Sequence, residues 1–159
     1  MNSLKALAVR AYGTLVWLAS FLESPFLLCV RLYWGWQFWQ TGWGKLHNLP
    51  RVVEFFTSLG IPAPALNAYF VSGLEFLGGI LLAVGLGSRF LALLFTGDML
   101  VAYVTADRPA LLSIFSKPED FYAATPYTFL FASLIILIFG PGRFALDTLV
   151  ERWFARRTP

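Results

Sequence analysis

Two carboxylates sit near the middle of long apolar stretches: Glu75 in NAYFVSGLEFLGGILLAVG and Asp98 in RFLALLFTGDMLVAYVTA. A third apolar stretch carries Arg31 near its start and Lys45 near its end. Burying an unpaired charge in hydrocarbon costs roughly 2.5 to 3.5 kcal/mol even on the lenient insertion scale, so these side chains should face protein and find partners. Their chemistry would be proton handling or recognition of a polar headgroup. Arg31 is the cation available at depth for Glu75 and Asp98, and two carboxyls sharing one cation make one of them a candidate proton carrier. The expected pair is Arg31 with Glu75 in the interior, either as a structural lock or as the wall of a polar pocket. Lys45 has two readings, a member of that polar site or a side chain snorkelling to the opposite interface, roughly 21 Å from Arg31 along a helix.

Other site types find no support. The single Cys29 provides no intrachain disulfide, CxxC pair or thiolate cluster, which excludes a CxxC quinone reductase of the vitamin K epoxide reductase type. Cys29 itself reads as a small apolar filler. His47 is also alone, so neither a zinc nor a haem site is expected, and the metal expectation is none. No flavin or iron-sulfur ligand set is visible.

These residues are positioned by membrane helices. The chain of 159 residues is 58% hydrophobic and 13% charged, with a mean hydropathy of +0.67, whereas soluble domains carry about a quarter charged residues. With about 20 apolar residues per span, the length suits one four-helix domain. The net charge of +3 comes from basic residues at segment ends, where they report topology, and no nucleic-acid motif is present. The predicted fold is an all-α membrane protein, a four-transmembrane-helix antiparallel bundle preceded by an N-terminal interfacial amphipathic helix.

Its domains are residues 1–24 for that amphipathic helix, 25–147 for the bundle and 148–159 for a basic cytoplasmic tail. The first helix covers residues 4–22, with an apolar run too short to span, and should stop at Glu23-Ser24-Pro25. A cleaved signal peptide is the alternative for this stretch, with Lys5 and Arg10 as its charged region. Spans are expected at about 26–44, 65–86, 88–105 and 126–139. A half-buried interfacial helix is expected around VVEFFTSL, and residues 106–125 form an exposed loop with an apolar patch, ALLSIF. Seven cations on the side of the termini against four opposite place both termini in the cytoplasm.

Spacing adds detail to two spans. Arg31, Gly35, Phe38, Gly42 and Lys45 share one face of the first, where the glycines permit close helix approach. Glu75, Gly79, Ala83 and Gly87 recur at steps of four in the second, so the carboxylate lies on a small-residue ridge.

In order and spacing, Arg31-x3-Gly35-x2-Phe38-x3-Gly42-x2-Lys45, then GIPAP, then Gly73-x-Glu75-x3-Gly79 with Gly85-x3-Arg89, then Pro126-Tyr-Thr-Phe and FGPGRFALD ending at Asp147, the chain resembles the DoxX family of small four-helix membrane proteins. That family is related to the DoxD subunit of thiosulfate:quinone oxidoreductase, and its relatives are associated with redox-stress membrane complexes. The resemblance implies a bacterial inner-membrane protein serving a redox system, with a quinone or similar lipid bound near Arg31, Glu75 and the Trp34, Gln37, Phe38 and Trp39 cluster. It carries Arg31 and Glu75 over as the charged pair, with Lys45 closing the first motif and Asp147 the last. Electron transfer would then need a bound quinone or a partner subunit, since no other cofactor is visible. Its partners are the bilayer, the quinone or lipid ligand, and a partner subunit or further copies of itself. A non-catalytic assembly or scaffold subunit is the alternative function, and a small transporter a third.

Overall fold

The computed structural model describes residues 2–155, with side-chain environments from residue 5 onward, and these residues form helices joined by short links. The helices are α1 (Asn2–His47), α2 (Leu49–Ser58), α3 (Pro64–Val84), α4 (Ser88–Thr105), α5 (Arg108–Leu112), α6 (Pro118–Ala123), α7 (Pro126–Phe139) and α8 (Leu146–Ala155). Proline punctuates them. α2, α3, α5, α6 and α7 each have proline in their first turn, where its missing N–H would be unpaired in any case. α3 ends in a Schellman turn: Gly85 sits at φ +78°, with Gly85 N–H donating to Leu82 O and Leu86 N–H to Leu81 O. That turn folds α4 back antiparallel to α3.

Among the described residues three helices, α1, α3 and α4, are long and apolar enough to cross a membrane, and α7 is a shorter apolar helix of 14 residues. The chain is a multi-pass membrane protein. α1 packs chiefly on α3, and α4 on α7. The two pairs meet at Phe38, whose ring stacks on Phe95 at 3.8 Å between centroids and meets Phe129 edge-on at 4.8 Å. Leu82, Leu91, Ala92, Met99 and Ile136 complete this core.

The helix break expected at residues 23–25 is absent, because α1 runs through Pro25 as one helix. Tertiary contact at that point explains it: Gly142 packs against Ser24 and Leu27, and Arg143 N–H donates to Ser24 Oγ at 3.4 Å. Proline inside an apolar helix is tolerated where neighbouring groups of this kind support the backbone. From Lys5 to Glu23, α1 is exposed throughout. Residues 106–125, expected as loop, contain the one-turn helices α5 and α6, and Tyr103 Oη donates to Phe121 O at 2.9 Å to hold α6 against α4. The segment expected as a basic tail is helical as α8 up to Ala155.

Candidate functional site

α1 and α3 cross so closely that side chains would not fit between them. A Cβ on Gly35 would lie 2.7 Å from Gly79 O and 2.9 Å from Ala83 Cβ, and one on Gly79 would lie 2.5 Å from Trp39 N. A Cβ on Gly42 would strike the Phe76 backbone and lie 2.8 Å from Glu75 C. Without side chains the backbones can approach as small-residue membrane interfaces do. The antiparallel contact fixes a register: Arg31 lies against Gly85, Gly35 against Gly79 and Ala83, Gly42 against Glu75 and Phe76, and Lys45 against Glu75.

Glu75 is therefore paired with Lys45, not Arg31. Lys45 Nζ donates to Glu75 Oε1 at 2.7 Å, with the carboxylate side chain 3% and the lysine side chain 33% exposed. The expected Arg31 pairing fails because Arg31 stands fourteen residues earlier on α1, about 21 Å along the axis. The second oxygen, Oε2, is buried without a hydrogen-bond partner, as is Ser72 Oγ one turn earlier on the same helix face. Asp98 approaches from α4. It interacts electrostatically with both Glu75 and Lys45, and its Oδ2 is likewise buried and unpartnered.

Lys45 and Asp98 also stand in the wall of a cavity of about 660 Å³. It lies between the end of α1, α2, the start of α3 and the end of α4, and is otherwise mostly apolar, with Val52, Phe55, Phe56 and Met99 among its lining. Thr41, Asn48 and Arg51 add polar groups. This volume falls within the roughly 300 to 1,000 Å³ of small-molecule sites, which are largely apolar with a few converging polar groups. A molecule with a polar head and an apolar body would meet Lys45, Asp98 and hydrophobic walls.

The aromatic cluster takes no part in this wall. Phe38 is sealed in the core and Trp34 leans on Phe129 at 5.0 Å, while Trp39 packs among Trp36, Trp43 and Phe76. Gln37 is half-buried on α1 and lies outside the cavity lining as well. Sequence reasoning missed the contribution of α2, although VVEFFTSL marked an amphipathic segment, and it missed Ser72 and Arg51.

Arg31 belongs to a second polar centre at the other end of the bundle. It is fully buried, its guanidinium lies on Gly85, and Nη2 donates to Phe144 O at 2.5 Å. Asp147 acts on it electrostatically and closes the α3–α4 turn. Its carboxylate accepts from Gly87 N–H at 2.7 Å and Ser88 N–H at 2.8 Å, and its own N–H donates to Gly85 O at 2.9 Å. Here Arg31 Nη2 and the Asp147 carboxylate serve backbone groups while Arg31 Nε and Nη1 are buried without hydrogen-bond partners, and a side chain from α8 serves the orphan donors at the start of α4.

Against known proteins, the DoxX family profile matches residues 26–108. The chain is 28% identical over 123 residues to a Bacillus subtilis (strain 168) protein named "Putative oxidoreductase CatD", a match covering 77% of this chain and 85% of the other. No solved structure matches.

Proposed function

This chain belongs to the DoxX family, and from that premise we propose that it is the quinone-binding membrane component of a redox system, holding a quinone or similar lipid in the cavity beside Lys45 and Asp98. The family and the likeness to a protein named as an oxidoreductase support a link to membrane redox chemistry. One observation carries the choice of site: a mostly apolar cavity of about 660 Å³ lined by both Lys45 and Asp98. A quinone ring carries carbonyl or hydroxyl oxygens on an apolar body, which suits one donor and one acceptor in such a wall. When bound, it would supply a two-electron carrier. Lys45 donates to a headgroup oxygen, Asp98 accepts from a hydroxyl or holds a proton, and α2 shields the headgroup from water. Glu75 touches no ligand in this scheme and orients Lys45.

The proposed frame is a bacterial inner-membrane bundle of four spans with both termini cytoplasmic. α7 is the fourth span, a helix of about 21 Å that the bilayer accommodates by local thinning. The test is extraction of lipids from protein purified in detergent. Quinone should co-extract with the native protein and with Trp34→Leu, and should be lost from Asp98→Asn and Lys45→Met proteins that remain folded. Quinone absent from the native protein, or retained equally by all variants, would sink this site.

A scaffold role is the second reading, favoured by the exposed stretch of α1 from Lys5 to Glu23 with Trp17 and Phe21 on it. Tight co-purification of another subunit with no quinone in either would favour it.

A further inference from the structure

α8 has a divided surface. Leu146, Leu149, Val150, Trp153 and Phe154 recur at three- and four-residue steps on one face, and all are exposed. Asp147, Thr148, Glu151 and Arg152 occupy the remainder. Ten residues give a helix of about 15 Å, too short to cross a bilayer. The chain reaches α8 from the end of α7 through Gly140-Pro141-Gly142, so α8 sits at the level where that apolar helix ends. Exposed Ile138 and Phe139 on α7, then Phe144 in the link, carry the apolar outer surface of the bundle up to the stripe of α8. Exposed Arg89, Arg143 and Arg152 gather at the same end. An apolar stripe continuous with the lipid-facing surface and accompanied by cations is the pattern of a helix lying in a membrane interface.

We propose that α8 lies in the plane of an anionic bilayer surface, its stripe in the acyl boundary, and that this seating clamps the α3–α4 turn. The clamp follows from its anchors. Asp147 holds the Gly87 and Ser88 amides, and the Phe144 carbonyl just before the helix accepts from Arg31. Lipid that holds α8 in place therefore holds a cap on α4 and a partner on a buried guanidinium. The proposal does not depend on what occupies the cavity at the far end.

Spin labels on the full chain test it, in a Cys29→Ser background with Leu149→Cys or Glu151→Cys, in nanodiscs of phosphatidylcholine with and without phosphatidylglycerol. The label at 149 should be reached by oxygen and protected from a water-soluble nickel reagent, while 151 is open to nickel, and removing phosphatidylglycerol should raise nickel access at 149. Equal nickel access at both sites in both lipids would overturn the proposal. So would a label at 149 shielded from both reagents and coupled to a second copy, which would make a protein the occupant. The clamp has its own readout in Leu149→Glu/Phe154→Glu. Hydrogen exchange at the Gly87 and Ser88 amides should rise roughly fivefold, the factor for losing one helix cap, and unchanged exchange in a variant displaced from the surface would refute the clamp.

Discussion

Removing the Lys45 ammonium would leave Glu75 with an uncompensated carboxylate on a side chain that is 3% exposed. Lys45→Met should therefore lower stability in detergent by the lower end of the roughly 3 to 5 kcal/mol seen when buried pairs are broken, since the lysine keeps some contact with solvent. Lys45→Met/Glu75→Gln should recover much of that loss, and a double variant no more stable than the single would show that the pair is not what holds these helices. Arg31→Met provides a contrast, because Arg31 has no contact with Glu75: combining it with Glu75→Gln should give losses that simply add. At the opposite end, Asp147→Ala removes the acceptor for two backbone amides and should cost about 0.5 to 2 kcal/mol, the usual range for a lost cap. Thermal unfolding of each variant in one detergent checks all three expectations.

The α1–α3 contact depends on the absence of side chains at Gly35, Gly42 and Gly79, where a Cβ would meet backbone that cannot rotate away. Gly42→Ala and Gly79→Ala should each cost about 1 to 3 kcal/mol, the range for overpacking, and should weaken the Lys45–Glu75 contact by spreading the helices. Gly44→Ala is the control. Nothing lies within 4 Å of its Cβ position, so alanine there should be neutral or slightly stabilising through helix propensity. If Gly42→Ala unfolds at the same temperature as Gly44→Ala, the close crossing is not essential. α2 plays a different part as a short amphipathic helix with no buried residue, and it walls the cavity more than it supports the bundle.

At the scale of the whole molecule, the two polar centres are separated by about 21 Å along α1, from Arg31 to Lys45. Lys45, Glu75 and Asp98 meet midway along α3 and α4, below the cavity walled by α2 and the end of α4, and Arg31 and Asp147 lie at the end closed by the α3–α4 turn and α8. In the proposed orientation, with the Arg-rich end in the cytoplasm, the cavity would lie near the outer surface. Cysteines introduced at 115 and 151 of a Cys29→Ser protein should then differ. A membrane-impermeant maleimide should label 115 on intact cells and 151 only after permeabilisation, and the reverse pattern would place the cavity on the cytoplasmic side.

Much of this protein is determined locally and was legible in the residues themselves. Apolar composition requires membrane helices, proline and glycine mark their ends, and the order of short motifs from Arg31 onward identifies the DoxX family. The periodicity of 3.6 residues also put Gly35, Gly42 and Lys45 on one face of α1, and Glu75, Gly79 and Ala83 on one face of α3. What periodicity cannot supply is the axial offset between two faces. Lys45 stands two residues from the end of α1 and Glu75 eleven residues after the start of α3, so their contact requires α3 to begin well beyond that end. That offset depends on the path through α2 and on how Gly35, Gly42 and Gly79 interlock, both of which are non-local. The continuity of α1 through Pro25 is decided the same way, by the α7–α8 link packing on Ser24 and Leu27. Sequence determines which residues share a helix face because that follows from the geometry of one helix; the tertiary structure decides which cation meets Glu75 because register follows from the packing of two.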